Sequence, residues 1–326
     1  MPRKNRISVP GAIHHVMSRG IEGRSIFADD EDRAFFLVLL SRGIKKTGFQ
    51  CYGWVLMENH YHFVIRTSEL PLSALFKPLN AAYARYFGKR HGRHGYLFQD
   101  RFKSIATQDQ KYLEELIRYV HLNPVRAGVC ASVKQLDTYP WCGHAMLVGS
   151  LTFPFQTIAP VVKRFGATRL AAIDRYRAFL AEGLGTEGED DFIAKLRDGN
   201  QHKESVHEPG CWVIGDMDFV KESMAHDAAQ RLRIARYKRE GWNLEKVAVE
   251  VARQTELDVA EIKRRGRVNT RSAARKALAA VAHRQLGIPN AEIARYLGIS
   301  APAVSKSLDE GEKIAQKLGI RVSVSD

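Results

Sequence analysis

Cysteine is scarce: there are four in 326 residues, Cys51, Cys130, Cys142 and Cys211, in no CxxC or other metal-ligand spacing. That excludes a disulfide-stapled scaffold and a cysteine-built zinc site. Long apolar runs are also missing. The longest, such as Ala34 to Leu40, fall far short of the roughly 20 residues that span a bilayer, so no integral membrane protein is expected. The amino terminus lacks the charged, apolar and small-residue order of a signal peptide, which makes the cytoplasm, with reduced thiols, the expected compartment. Hydrophobic residues at 45% are too many for a disordered chain. The length suits two domains of roughly 150 residues, each able to bury a core.

Positive charge is in excess. Fifty Lys and Arg against 36 Asp and Glu leave +14, distributed as +9 over residues 1–149, −4 over 150–229 and +9 over 230–326. Two basic blocks around an acidic middle suit a polyanion, because each neutralised phosphate releases condensed counterions. Charge alone does not separate that reading from plain solubility.

Periodicity predicts a strand over 12–18, a loop over 20–27, and a helix that starts at the acidic run Asp29 to Asp32 and closes at Gly48. Two apolar, β-branched runs at 51–57 and 60–67, parted by Glu58 and Asn59, read as paired strands. A second helix is predicted from Pro71 to about Arg90 with a bend at Pro78, then a strand over 102–107. A third helix is predicted from an Asp109 cap to Asn123, where Pro124 disfavours continuation. The order strand, helix, strand, strand, helix, strand, helix predicts an α+β fold: an antiparallel sheet of split βαβ type, ferredoxin-like, with helices on one face. Residues 1–149 are read as this domain, 150–229 as a mostly helical connector, and 230–326 as an all-helical domain.

His60, Tyr61 and His62 lie on a predicted strand, where side chains two apart share a face, so both imidazoles can meet one cation while Tyr61 faces away. Tyr119 and Asn123 are four apart on a predicted helix and therefore stack on one side. A tyrosine suits attack on a phosphodiester, since its ester is itself a phosphodiester and the bond energy is kept. Taken singly, a strand His pair and a half-buried Tyr more often serve a structural role. Tyr112, seven residues earlier, is a second candidate nucleophile.

Together the blocks PGAIHHVMSRG, LMENHYHFVIRT, GYLFQDRFKS and YLEELIRYVHLNPVRAGV resemble the REP-associated tyrosine transposases, members of the single-tyrosine HUH endonuclease superfamily. The resemblance covers residues from about 6 to 145. It implies that His60 and His62 with Asn123 bind Mg²⁺ or Mn²⁺, and that Tyr119 cuts single-stranded DNA to leave a 5′-phosphotyrosine and a free 3′-hydroxyl. The donor set itself suits Zn²⁺ as well, so the metal choice rests on the resemblance. Tyr61 fills a middle position that is usually hydrophobic. Arg90, Arg93, Arg101, Lys103 and Arg126 surround these motifs, interleaved with Tyr96, Phe98 and Phe102, as cations tracking phosphates beside rings that stack bases.

Residues 290–308 have the helix, Gly298 turn and Ser300-capped second helix of a helix-turn-helix, and with the preceding helix they resemble the DNA-binding domain of the bacterial initiator DnaA. In that reading Ser300, Ala301, Ala303, Ser305 and Lys306 approach the major groove, and Arg264, Arg265, Arg267 and Arg271 contact phosphates. The expected function is a metal-dependent DNA nicking and strand-transfer enzyme of a bacterial nucleoid. Its partners are single-stranded or hairpin DNA and flanking duplex, and two-ended cutting needs a homodimer or sequential use of one site. The rival is a sequence-specific DNA-binding regulator on an inactive transposase fold.

Overall fold

The computed structural model describes residues 10–68, 70–108, 112–185, 204–208, 211–215, 217–264, 269–320 and 322. It divides into two compact units, Met1–Asp227 and Ala228–Asp326.

The first unit is built on β1 (Ile13–Arg19), α1 (Asp30–Thr47), β2 (Gln50–Leu56), β3 (His60–Arg66), α2 (Ser73–Arg90), β4 (Lys103–Thr107) and α3 (Leu113–Arg126). The four strands order as β2-β3-β1-β4, all antiparallel, which is the split βαβ arrangement expected. The Asp29 carboxylate accepts from the Asp32 N–H to cap α1, and Gly48 ends it in the left-handed region at φ 68°. Helix α2 runs unbroken through Pro78.

The helices do not all share one face. α1 and α2 cover one side through Phe36, Leu40, Phe76 and Tyr83, whereas α3 covers the other through Leu116, Ile117 and Val120. The strands dictate this: Phe63 and Trp54 are apolar on the first side, and Val64 and Val55 are apolar on the second. Neither side can be left to water, since each fully buried large apolar side chain contributes about 1.5–3 kcal/mol. Gly53 lets α3 lie close, because a Cβ there would stand 2.6 Å from the Ile117 side chain.

Helix α3 also continues through Pro124 to Arg126, past the expected stop at Asn123. Proline removes the N–H that would meet the Val120 carbonyl. The Asn123 amide takes its place, its Nδ2 donating to the carbonyls of Tyr119 at 2.8 Å and Val120 at 3.4 Å. The expected Asp109 cap lies outside the described residues.

Residues 150–229 are more than a helical connector. After α4 (Val133–Leu136) and α5 (His144–Val148), helices α6 (Ala159–Phe165) and α7 (Arg169–Glu182) pack Val161, Phe165, Tyr176 and Leu180 into the core beneath α3. Strands β5 (Glu204–Glu208) and β6 (Cys211–Gly215) extend the sheet to six, with β6 parallel to β4. Parallel pairing joins segments about a hundred residues apart and carries no local sequence signal.

Helix α8 (Met217–Arg239) runs through the boundary between the units. The second unit continues with α9 (Leu244–Thr255), α10 (Val259–Lys263), α11 (Asn269–Arg284), α12 (Asn290–Leu297) and α13 (Ala301–Lys317). Val247, Leu278, Ile293, Leu297 and Val304 form its core, with Ile299 partly buried against it.

Candidate active site beneath helix α3

Alternation along β3 sends Tyr61, Phe63 and Ile65 toward α1 and α2, and His60, His62 and Val64 toward α3. The Tyr61 hydroxyl donates to Asn80 Oδ1 on α2 at 2.8 Å, which gives its polar end a partner on the packing side. His62 is buried, with Nδ1 2.8 Å from Nε2 of His15 on the neighbouring β1. These two rings stack at 5.0 Å, and His60 stands edge-on to His62 at 4.9 Å.

Tyr119 descends from α3 onto this cluster. Its ring meets His15 at 5.5 Å and His62 at 5.6 Å, edge-on to both. One turn further on, the Asn123 side chain comes within hydrogen-bonding reach of His60. Because its amide nitrogen serves the α3 carbonyls, Oδ1 is the atom left to face the ring. The phenol, the paired imidazoles and the amide thus converge as the sequence pattern requires. Tyr112, the other candidate nucleophile, precedes the first turn of α3 and packs in the apolar core.

Burial governs the electrostatics. His15 is pushed down to about 4 by burial. His60 is also held at about 4, by burial first and the charge of Arg19 second, with the bond to Asn123 opposing. His62 lies well below the usual range through burial and the neighbouring His15 and His60. All three rings are neutral near pH 7; His60 and His62 can offer a lone pair to a cation, while the lone pair of His15 is the one that accepts from His62. Arg126 lies with its guanidinium carbon 5.6 Å from the centre of the Tyr119 ring, a position suited to steadying a phenolate.

No group of three His, Cys, Asp or Glu side chains converges on a metal site among the described residues, so a cation here needs the Asn123 amide as well. The donor chemistry fits. His60 Nδ1 meets Asn59 Oδ1 at 2.6 Å, and with the ring proton there Nε2 carries the lone pair that a cation would share with Asn123 Oδ1. His62 keeps its own Nε2 lone pair when its Nδ1–H donates to His15.

The basic residues separate. Arg90 is engaged by Asp29, Glu31 and Asp32, so it ties the end of α2 to the start of α1 and offers little to a phosphate. Arg101 and Lys103 are exposed, and Arg93 is half-buried in the loop before β4. Of the interleaved rings, Phe102 is buried, Phe98 packs on the core, and Tyr96 is 84% exposed. In the second unit Arg264 is exposed, Arg271 pairs with Glu261 at 3.0 Å, and Arg265 and Arg267 lie outside the described residues. Ser300 accepts from the Ala303 N–H to cap α13; Ala303 and Lys306 are exposed, and Ala301 and Ser305 half-buried.

Sequence reasoning missed His15 and Arg19. Both sit in the quoted block PGAIHHVMSRG, but a strand histidine and a strand-end arginine have no spacing of their own to mark them. The register of β1 against β3 is what brings them to the site.

Residues 8–123 match the family described as Transposase IS200 like. Among solved structures, a REP-associated tyrosine transposase bound to a REP hairpin is similar at 15% identity and a TM-score of 0.36, over 48% of this chain and 98% of that one. No curated protein matches the chain.

Proposed function

We propose, on the match of residues 8–123 to the family described as Transposase IS200 like, that the chain cuts and rejoins single-stranded DNA through Tyr119. The observation that carries the reading is the packing of the Tyr119 ring on His15 and His62, with Asn123 beside His60 one turn along the same helix. His60, His62 and Asn123 would hold Mg²⁺ or Mn²⁺, which when bound polarises the scissile phosphate and steadies the leaving 3′ oxygen.

The chain's own residues do the rest. Arg126 beside the ring favours the phenolate over a phenol whose ordinary pKa is about 10. Tyr119 Oη attacks phosphorus, the bond to the 3′ oxygen breaks, and the 5′ end stays on the tyrosine until a 3′-hydroxyl reverses the step. Exposed Arg101 and Lys103, with half-buried Arg93, track the single strand or hairpin foot, and the second unit holds flanking duplex through α13, raising the local concentration of substrate. Two-ended cutting then takes a dimer or sequential use of one tyrosine.

The test is incubation with a labelled hairpin oligonucleotide and Mn²⁺, followed by a denaturing gel. The reading expects a protein-linked DNA band that Tyr119→Phe and a chelator each remove. Hairpin binding with no adduct under any metal would instead make the chain a DNA-binding regulator.

A further inference from the structure

Arg19 is the last residue of β1, and its Cα partner across the β1–β3 ladder is His60. Such partners lie about 4.5–5.5 Å apart. It falls on the same face as His15, four residues earlier, and is the exposed end of an otherwise buried strand. Its charge is felt directly by the His60 ring. The backbone at this point is tied on both sides: the Arg19 carbonyl accepts from Gln99 N–H at 3.0 Å, and Gly20 N–H donates to the Asn59 carbonyl at 2.8 Å.

The guanidinium lies over Gly23, where a Cβ would stand 3.2 Å from Nη2; Gly23 has φ +72°, so the turn both needs glycine and leaves the fork its space. Nearby carboxylates are used elsewhere. Glu22 pairs with Arg24 and Glu58 accepts from the Ser25 hydroxyl. No carboxylate pairs with Arg19 among the described residues. The other cations are placed differently. Arg126 covers the tyrosine ring, Arg90 is neutralised, and Lys103 stands opposite Met17, one strand further from the histidines.

We propose that Arg19 is a catalytic residue whose guanidinium binds a non-bridging oxygen of the scissile phosphate and balances the charge that grows there as Tyr119 attacks. The inference rests on the tyrosine reading above. In the step the Tyr119 Oη–P bond forms and the P–O3′ bond breaks. The phenolic proton leaves to solvent and the 3′ oxygen takes one up, with no change of oxidation state. Arg19 stays protonated throughout and supplies preorganised charge with two donors in fixed geometry, which suits phosphate better than a single ammonium.

The experiment measures single-turnover adduct formation on the hairpin oligonucleotide, alongside its equilibrium affinity, for wild type, Arg19→Ala and Arg19→Lys. A catalytic role predicts that Arg19→Ala slows adduct formation by at least about 100-fold. Its affinity should fall by less than about tenfold, as for loss of one phosphate contact, and Arg19→Lys should fall between the two rates. Rates within threefold of wild type, or a rate loss matched by the affinity loss, overturn the assignment. Should Arg19→Ala fail to fold, Arg19→Lys decides alone, since it keeps the charge and loses the fork; a wild-type rate then rejects the proposal. Absence of any adduct with wild type overturns the tyrosine reading itself, and this inference with it.

Discussion

The two faces of one sheet use the same strands for opposite purposes. Toward α1 and α2, Phe36, Tyr61, Phe63 and Phe76 pack ring against ring at 5.2 to 6.3 Å, and the phenol of Tyr83 finds the Ile26 carbonyl. Toward α3 the corresponding positions are buried His15 and His62 and half-buried His60, shielded from water to that degree but chemically open. Burial on the first face is a source of stability. On the second it costs stability, because imidazoles are desolvated there, and in return it keeps them neutral and able to bind a ligand.

Two substitutions would sharpen that contrast most. Tyr119→Phe should reduce adduct formation by at least about 1,000-fold on a denaturing gel, since the nucleophile is gone, while urea unfolding shifts by only about 1 kcal/mol. Phe63→Ala, one strand residue from His62, should cost about 3–5 kcal/mol in the same unfolding experiment. An active Tyr119→Phe, or a Phe63→Ala of wild-type stability, would erase the division of labour.

Acidification probes the shielded imidazoles of the α3 face. His15 and His60 titrate near 6.5 when unfolded and about 4 when folded, so below pH 6.5 the unfolded chain takes up protons that the native one refuses. In chelator-treated protein, stability should therefore be flat above pH 6.5 and fall between pH 6.5 and about 4, by up to about 1.4 kcal/mol per pH unit for each ring. A midpoint that is constant over that range would mean the rings are solvated.

Much of this was legible in the sequence, for identifiable reasons. The four antiparallel strands follow from period-two alternation, and His60, His62, Tyr119 and Asn123 from spacings of two and four that survive into three dimensions. What failed was non-local or compensated. His15 reaches the site only through register with β3, and β6 only through a distant parallel pairing. Asn123 rescues the carbonyl that Pro124 orphans, so the helix outruns a sound local rule. By pattern Arg90 is a phosphate cation and the acidic run at 29–32 only a helix start; the fold pairs the two instead.

The smallest effects test how the α3 face is held. His121 on α3, Tyr176 on α7 and His144 on α5 form a buried chain: the Tyr176 hydroxyl lies 2.7 Å from His121 Nδ1 and 3.0 Å from His144 Nδ1, and His144 Nε2 lies 2.8 Å from Asp137. Burial pushes the Asp137 carboxyl up, but the bonds from His144 and Arg177 outweigh it and hold it below its usual range. An ionised Asp137 fixes the proton order: His144 donates to it through Nε2–H, Tyr176 donates to His144, and His121 donates to Tyr176. Tyr176→Phe would strand a donor and an acceptor at once in a buried site, at about 1–3 kcal/mol. Tyr61→Phe on the opposite face breaks one part-buried bond to Asn80 and should cost about 0.5–1.5 kcal/mol. Urea unfolding of the two variants side by side would measure the difference. Equal losses would mean that the polar chain fixes the position of α3 no more firmly than ordinary packing does.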